Sequence, residues 1–436
     1  MRERTGPVSL AYLASLVTLV LAVAVACTPT TAGRSGTATS APPQPPGQHA
    51  SHITVPTVVA ASPAQERAQF EQLLGQHALL AARLMRGLVS GPPGLQEAAT
   101  ASLQANTDTL SKLVGSAYGS AEGDRFKQLW QRHITELSAY AGGTASKDES
   151  ARQAARADLM TSCDAYGAWL AGASKGRVQA ADAVSDVRSH VHHLLEQVDA
   201  YAARDHDQAY RIEREAYRHM YATGVTLAKG SVSPKDAAGL DAPTVKLRSA
   251  FAMLLGEHME LIVDAQRATF AGSPEFKAAG AQVNANTTAL TQALGGIVGP
   301  RKAAEFQSAW GDHVEGLIGY TTAVASGDAA AKATAEKELN RYAIALALYF
   351  SGVVRDQRAF VPLTGAITAH DRHLVEQVDA YAAKNYAKAH IVELEGYQQM
   401  LGVANTLVDA IQRSVKPGLP VGGSQTGGGG TAQRPR

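Results

Sequence analysis

Six histidines recur in two regular series along the chain: His77, His133 and His190, then His258, His313 and His370. The intervals are 56 and 57 residues in the first series, and 55 and 57 in the second. On a 3.6-residue wheel each histidine falls in the middle of an apolar stripe. The stripe is Phe70, Leu73, Leu74 and Leu80 for His77, then Phe126, Trp130 and Leu137 for His133, and Val187, Leu194 and Val198 for His190. His258 keeps similar company with Phe251, Leu255 and Ile262, as do His313 with Phe306, Trp310 and Tyr320, and His370 with Ile367, Leu374 and Val378. A buried neutral imidazole must find a hydrogen bond or cost about 1–3 kcal/mol. Taken singly, each therefore reads as a core histidine satisfied by a neighbour, and Asn106 and Asn286 are the candidate partners. Taken in threes they read differently. Neutral imidazole is the commonest side-chain ligand for zinc and copper, and three of them leave an open fourth position. Each series is thus a candidate site for copper or zinc, provided that its three imidazoles converge.

A second pair widens the candidate set. His193 and His373 lie three residues beyond His190 and His370, at the edge of the same stripe, and join the candidate ligands. Half-exposed flanking residues are the competing description. Met220 and Met400 sit on the last stripe of each series and read as gap-filling core. The recurring Glu213, Glu215, Glu393 and Glu395 are expected on a solvated face.

The elements that must position these residues are helices. Apolar positions fall at i, i+3, i+4 and i+7, alanine is abundant, and no stretch sustains strand-like alternation. Breaks near Gly91–Gly94, Gly115–Gly123, Gly142–Lys147, Gly172–Gly176 and Arg204–Asp207 divide the first series into six helices of about 20 residues, paired as three antiparallel hairpins. The chain then repeats itself at an offset of 180 or 181 residues, most plainly where Glu196–Ala203 returns identically as Glu376–Ala383. An all-α tandem duplication of a six-helix unit follows, with repeat one over 63–232 and repeat two over 245–415. Gly, Pro and Ser between Gly230 and Pro243 mark the junction. The apolar run Tyr342–Val354 is too short to span a bilayer and reads as a buried helix.

Residues 1–26 carry early arginines and then an uncharged apolar stretch ending Ala24-Val25-Ala26-Cys27. This is the form of a secretory signal followed by a lipidated cysteine, with Cys27 as the attachment point. An uncleaved membrane anchor is the alternative. Residues 27–62, rich in Thr, Ser, Pro and Gly, read as a disordered tether, and 416–436 as a disordered tail. The expected location is the outer face of the cell membrane. A net charge of +1 without a long basic run leaves no footprint for nucleic acid. Two cysteines exclude a disulfide framework, and Cys163, on an apolar stripe where the second repeat has Ala343, is not a candidate nucleophile. The Glu-x-x-His pairs of di-iron bundles, His-Glu-x-x-His, Gly-x-Ser-x-Gly and Cys-x-x-Cys are all missing.

Through Leu254-Leu255-Gly256-Glu257-His258, the Trp-x-x-His pairs at Trp130 and Trp310, and the two Glu-Gln-Val-Asp-Ala-Tyr segments, residues 65–415 resemble a group of exported helical-repeat lipoproteins of Gram-positive bacteria. Some of these carry a copper amine oxidase label. That label implies copper as a ligand to test but not oxidase activity, since Asn385-Tyr386-Ala387-Lys388 departs from the Asn-Tyr-Asp/Glu sequence from which such oxidases make their quinone. The expected function is a membrane-tethered binding protein, its candidate ligand a metal ion held by the inward histidines. An alternative is a structural or interaction module of the cell envelope, holding a protein or wall polymer, with core histidines and no metal. A metal-dependent redox enzyme is the third reading, but no base or redox partner is identifiable.

Overall fold

Alanine, leucine and long straight side chains fill the segments between the glycine and proline breaks, and these residues lose least on entering a helix. The computed structural model describes residues 62–414, and every regular element among them is helical, so the fold is all-α. Six long helices come first: α1 (Pro63–Ser90), α2 (Pro93–Tyr118), α3 (Ser120–Ser146), α4 (Glu149–Ala173), α5 (Ala180–Ala202) and α6 (His206–Ser231). A short helix, α7 (Pro234–Leu240), occupies the junction that composition marked as a break. Six more follow: α8 (Pro243–Phe270), α9 (Glu275–Val298), α10 (Pro300–Ser326), α11 (Ala329–Val353), α12 (Phe360–Ala382) and α13 (Tyr386–Ser414), with one 3₁₀ turn, Gln357–Ala359, before α12. Cys27, the signal, the tether and the tail lie outside the described residues.

Side chains set where the helices begin. Ser62 and Gln65 form a reciprocal capping box on α1, while Asp148, Asp205 and Asp328 accept backbone N–H groups at the starts of α4, α6 and α11. The breaks are tighter than glycine content suggested, because several of those glycines are helical. Only Gly119, at φ 107°, separates α2 from α3. Gly123 is needed for close approach: a Cβ there would stand 2.7 Å from the Ser111 carbonyl and 2.8 Å from the Gly115 Cα. The twelve long helices therefore run 23–29 residues rather than about 20.

Each set of six closes into a ring. In the first half α1, α3 and α5 pack on one another inside, each followed by an outer partner, and α6 returns to pack along α1. In the second half α8, α10 and α12 take the inner places and α13 closes onto α8. Each half centres on an apolar cluster, and the two exchange members at the seam: Leu79, Tyr210, Tyr217 and Tyr221 join the cluster of the second half, and Leu394 that of the first. The apolar run on α11 is one-sided rather than buried all round: Leu346, Ala347 and Phe350 face inward, but Ile344 and Leu348 are 47% and 55% exposed. No described helix is long and apolar enough to cross a membrane.

The halves meet through reciprocal contacts, α1 on α8, α13 on α2 and α6 on α9. Arg83 of α1 crosses the seam to Glu260, Asp264 and Glu393. Beside it Arg86 grips both carboxylate oxygens of Glu213 at 2.9 and 3.0 Å. Glu213 and Glu393, expected on a solvated face, are thus fully buried as acidic partners of arginines. Burial alone would raise the Glu393 carboxyl, but Arg267 and Arg83 hold it well below the usual carboxylate range.

Candidate metal centre

Each hairpin contributes its first helix to the inside of a ring, and each inner helix carries one histidine of the series: His77 on α1, His133 on α3, His190 on α5, and His258, His313 and His370 on α8, α10 and α12. Because the inner helices pack on one another, the three imidazoles of a half meet. Ring centroids stand 5.9, 5.4 and 5.5 Å apart in the first half and 6.0, 5.5 and 5.7 Å in the second. In each trio one ligand atom per residue lies within 4.8 Å of the other two. Metal–nitrogen bonds of about 2.0–2.1 Å would require nitrogens about 3.4 Å apart in a tetrahedral site, so ring shifts of roughly 1 Å would close either trio.

All six rings are buried, at most 4% exposed. The expected asparagine partners are engaged elsewhere. Asn106 Nδ2 donates to the Leu73 carbonyl and Gln76 Oε1, both at 3.0 Å, and Asn286 Nδ2 donates to the Leu254 carbonyl at 3.0 Å and Glu257 Oε2 at 2.7 Å. One imidazole nitrogen is satisfied by an indole: Trp130 Nε1 donates to His77 Nδ1 at 3.0 Å. His77 Nε2, His133 Nε2 and both ring nitrogens of His190, His258, His313 and His370 are buried without a hydrogen-bond partner, as is Trp310 Nε1 in the second half. Buried polar groups are rarely left so, and these ten imidazole nitrogens in two small clusters have no protein partner, which a water or an ion could supply.

Burial drives every one of these imidazoles toward its neutral form. His133 and His313 are pushed down to about 4. His77 and His190 fall well below the ordinary histidine range, through burial first and then through neighbouring imidazoles, and His258 and His370 do likewise. At neutral pH five of the six rings therefore keep their one lone pair free, the state that a transition metal needs, while that of His77 accepts the Trp130 indole N–H and would have to be released for ligation.

The surroundings of the two trios differ. Beside His133 is a small pocket lined by Ser162, Cys163 and Tyr166, with the Ser162 and Tyr166 hydroxyls unpartnered. Burial pushes the Cys163 thiol up to about 12, so it is no nucleophile. Beside His313 and His370 the cavity wall is apolar and includes Phe306, Ile367 and Met400. Asp371, 5% exposed, places Oδ1 3.5 Å from His313 Nδ1, and neither of its oxygens has a hydrogen-bond partner.

His193 and His373, grouped with the ligands by spacing, stand outside both trios. One turn along the helix carries them off the inward face, where His193 lies half-buried with its ring 5.5 Å from that of His219, and His373 Nδ1 is 3.3 Å from Gln399 Oε1. Met220 and Met400 are buried core residues, and Met400 also lines the cavity beside His313 and His370. Asp371 was not singled out from sequence: between His370 and Arg372 it looks like part of a charged helix face. Set against protein-family models, curated proteins and solved structures, the chain matches none.

Proposed function

We propose that this chain is a metal-binding protein with one three-histidine site in each half, and that Cys27 tethers it to the outer face of the cell membrane. The observation that carries the metal reading is the pair of buried histidine trios whose ring nitrogens are almost all unpartnered. Both trios offer neutral nitrogen ligands and an open fourth position, a donor set that suits copper or zinc. The resemblance to exported helical-repeat lipoproteins, some with a copper label, makes copper the first metal to test. The role proposed is binding. The tether rests on the N-terminal sequence alone.

The competing reading is an envelope interaction module with core histidines, favoured by one contact, the Trp130 indole N–H that satisfies His77 without any ion. Titration of the full chain in detergent, with Cys27→Ser to remove a competing thiol, separates the two. Cu(I), Cu(II) and Zn(II) are each added to wild type and to His133→Gln/His313→Gln. Uptake of about two equivalents that vanishes in the double variant is the expected result. Uptake no greater than that of the double variant would leave the interaction module.

A further inference from the structure

Position 371 is where the two candidate sites part company. Asp371 follows His370 exactly as far along the repeat as Val191 follows His190, 180 residues apart, and both side chains are buried on the inner helix of the third hairpin. We infer that the second-half site is built for a divalent cation and the first-half site for a monovalent one, with Asp371 as the residue that discriminates. This rests on reading the trios as metal sites.

The argument is one of charge. Three neutral imidazoles add nothing to the charge of the ion they hold, and a full double charge in a dry apolar interior is strongly opposed by desolvation. A carboxylate on the outer nitrogen of a ligating histidine removes one unit of that charge and raises the basicity of the ring. Asp371 is placed for this role, 3.5 Å from His313 Nδ1, with two buried oxygens that no protein group satisfies. Burial raises its carboxyl well above the usual range, so the metal-free acid is neutral and becomes the carboxylate only as a dication binds and the proton leaves to solvent. When His313 donates Nδ1–H to Asp371, its Nε2 lone pair is left for the ion.

In the first half no carboxylate among the described residues is paired with a histidine of the trio. Val191 takes the equivalent place, and Glu136, one turn from His133, gives Oε1 to Arg132 at 2.7 Å while its Oε2 is buried without a partner. The first half has the neutral thiol of Cys163 in the pocket wall beside His133, where the second half has Ala343; the second half has its own soft sulfur, the Met400 thioether in the cavity wall, so the difference between the halves lies in Asp371. A monovalent soft ion such as Cu(I) is matched to the first-half trio, where no paired carboxylate offsets a second charge. Loaded in this way, the two sites carry the same net charge of about +1.

The test is a zinc and Cu(I) titration, against a competing chelator, of the full chain carrying Cys27→Ser, with Asp371→Asn, Asp371→Val and Val191→Asp. Asp371→Val copies the residue that the first half already accommodates, which guards against a folding failure. Thermal melts of the metal-free proteins confirm that each variant is folded. Wild type is expected to take one zinc at least tenfold more tightly than a second, His313→Gln assigning the tight site. Asp371→Asn should weaken that site by about 10–100-fold while leaving Cu(I) affinity within about threefold. Val191→Asp should tighten zinc in the first half. Two zinc sites of equal affinity, or a tight site untouched by either Asp371 variant, would overturn the inference and leave the metal reading intact. No uptake of either ion by wild type would overturn both.

Discussion

Tyr217 of α6 and Tyr397 of α13, equivalent residues of the two halves, meet hydroxyl to hydroxyl at 3.2 Å in the buried seam between the rings. Tyr217 donates to the carbonyl of Met253 at 3.0 Å, and the Tyr397 hydroxyl lies 3.0 Å from the carbonyl of Gln72, the position equivalent to Met253. The seam thus repeats each contact with the halves exchanged. Tyr217→Phe and Tyr397→Phe should each cost about 1 kcal/mol, and the double variant less than the sum, because the contact between the two hydroxyls is lost in either single variant. Urea denaturation of the four proteins measures this. Strict additivity would show that the hydroxyls act independently.

Arg83 should matter far more than the tyrosines. Arg83→Met keeps most of the apolar stem but leaves Glu260, Asp264 and Glu393 without the guanidinium that joins them. Breaking a buried ion pair from one side typically costs about 3–5 kcal/mol. Denaturant unfolding should show a loss of that size; a loss under about 1 kcal/mol would mean that the carboxyls are relieved by protonation or by Arg86 and Arg267.

The metal-free protein should weaken as the pH falls through the histidine range. His133 and His313 have folded-state values near 4, against an ordinary value of 6.5 in the unfolded chain. Below 6.5 the unfolded chain takes up protons that the folded chain refuses. The stability these residues contribute is therefore complete above about pH 6.5 and is lost progressively down to about pH 4, on the order of 3 kcal/mol each. Urea titrations at pH 7.5, 6 and 5 should show a steep decline, made shallower by His133→Gln. A flat profile over that window would show that the folded protein accepts the protons.

Tryptophan emission should report filling of the sites. The Trp130 ring lies 4.7 Å from that of His77 and the Trp310 ring 4.6 Å from that of His258, whereas Trp169 packs against Phe126 and Tyr166. Cu(II) titration should quench emission in two steps, one removed by Trp130→Phe and the other by Trp310→Phe. Quenching that survives in the double variant would place the ion elsewhere.

The convergence of the histidines was legible because two independent regularities pointed the same way. Helical periodicity put His77, His133 and His190 inward, and the duplication repeated the pattern at His258, His313 and His370. Helix lengths were read short because Gly115, Gly123 and Gly142 look like loop residues, while at Gly123 the missing side chain serves the close crossing of α2 and α3. The burial of Glu213 and Glu393 was not legible. Their partners Arg86 and Arg83 lie far off in sequence, and only ring closure and the docking of the halves bring them together. Asp371 was hidden for a related reason: its surroundings come from α10, and helical charge patterning says nothing of a neighbour's histidine.

Ring closure also governs how fast anything can reach the histidines. The six imidazoles are at most 4% exposed, and α6 packs back along α1 as α13 does along α8. For an ion bound as proposed, so little exposure of the imidazoles would make entry depend on a hairpin swinging outward. Entry and exit then run on the clock of local unfolding rather than of diffusion. An ion held as proposed would stay for as long as the helices remain shut, and the packing around each trio would double as its timer.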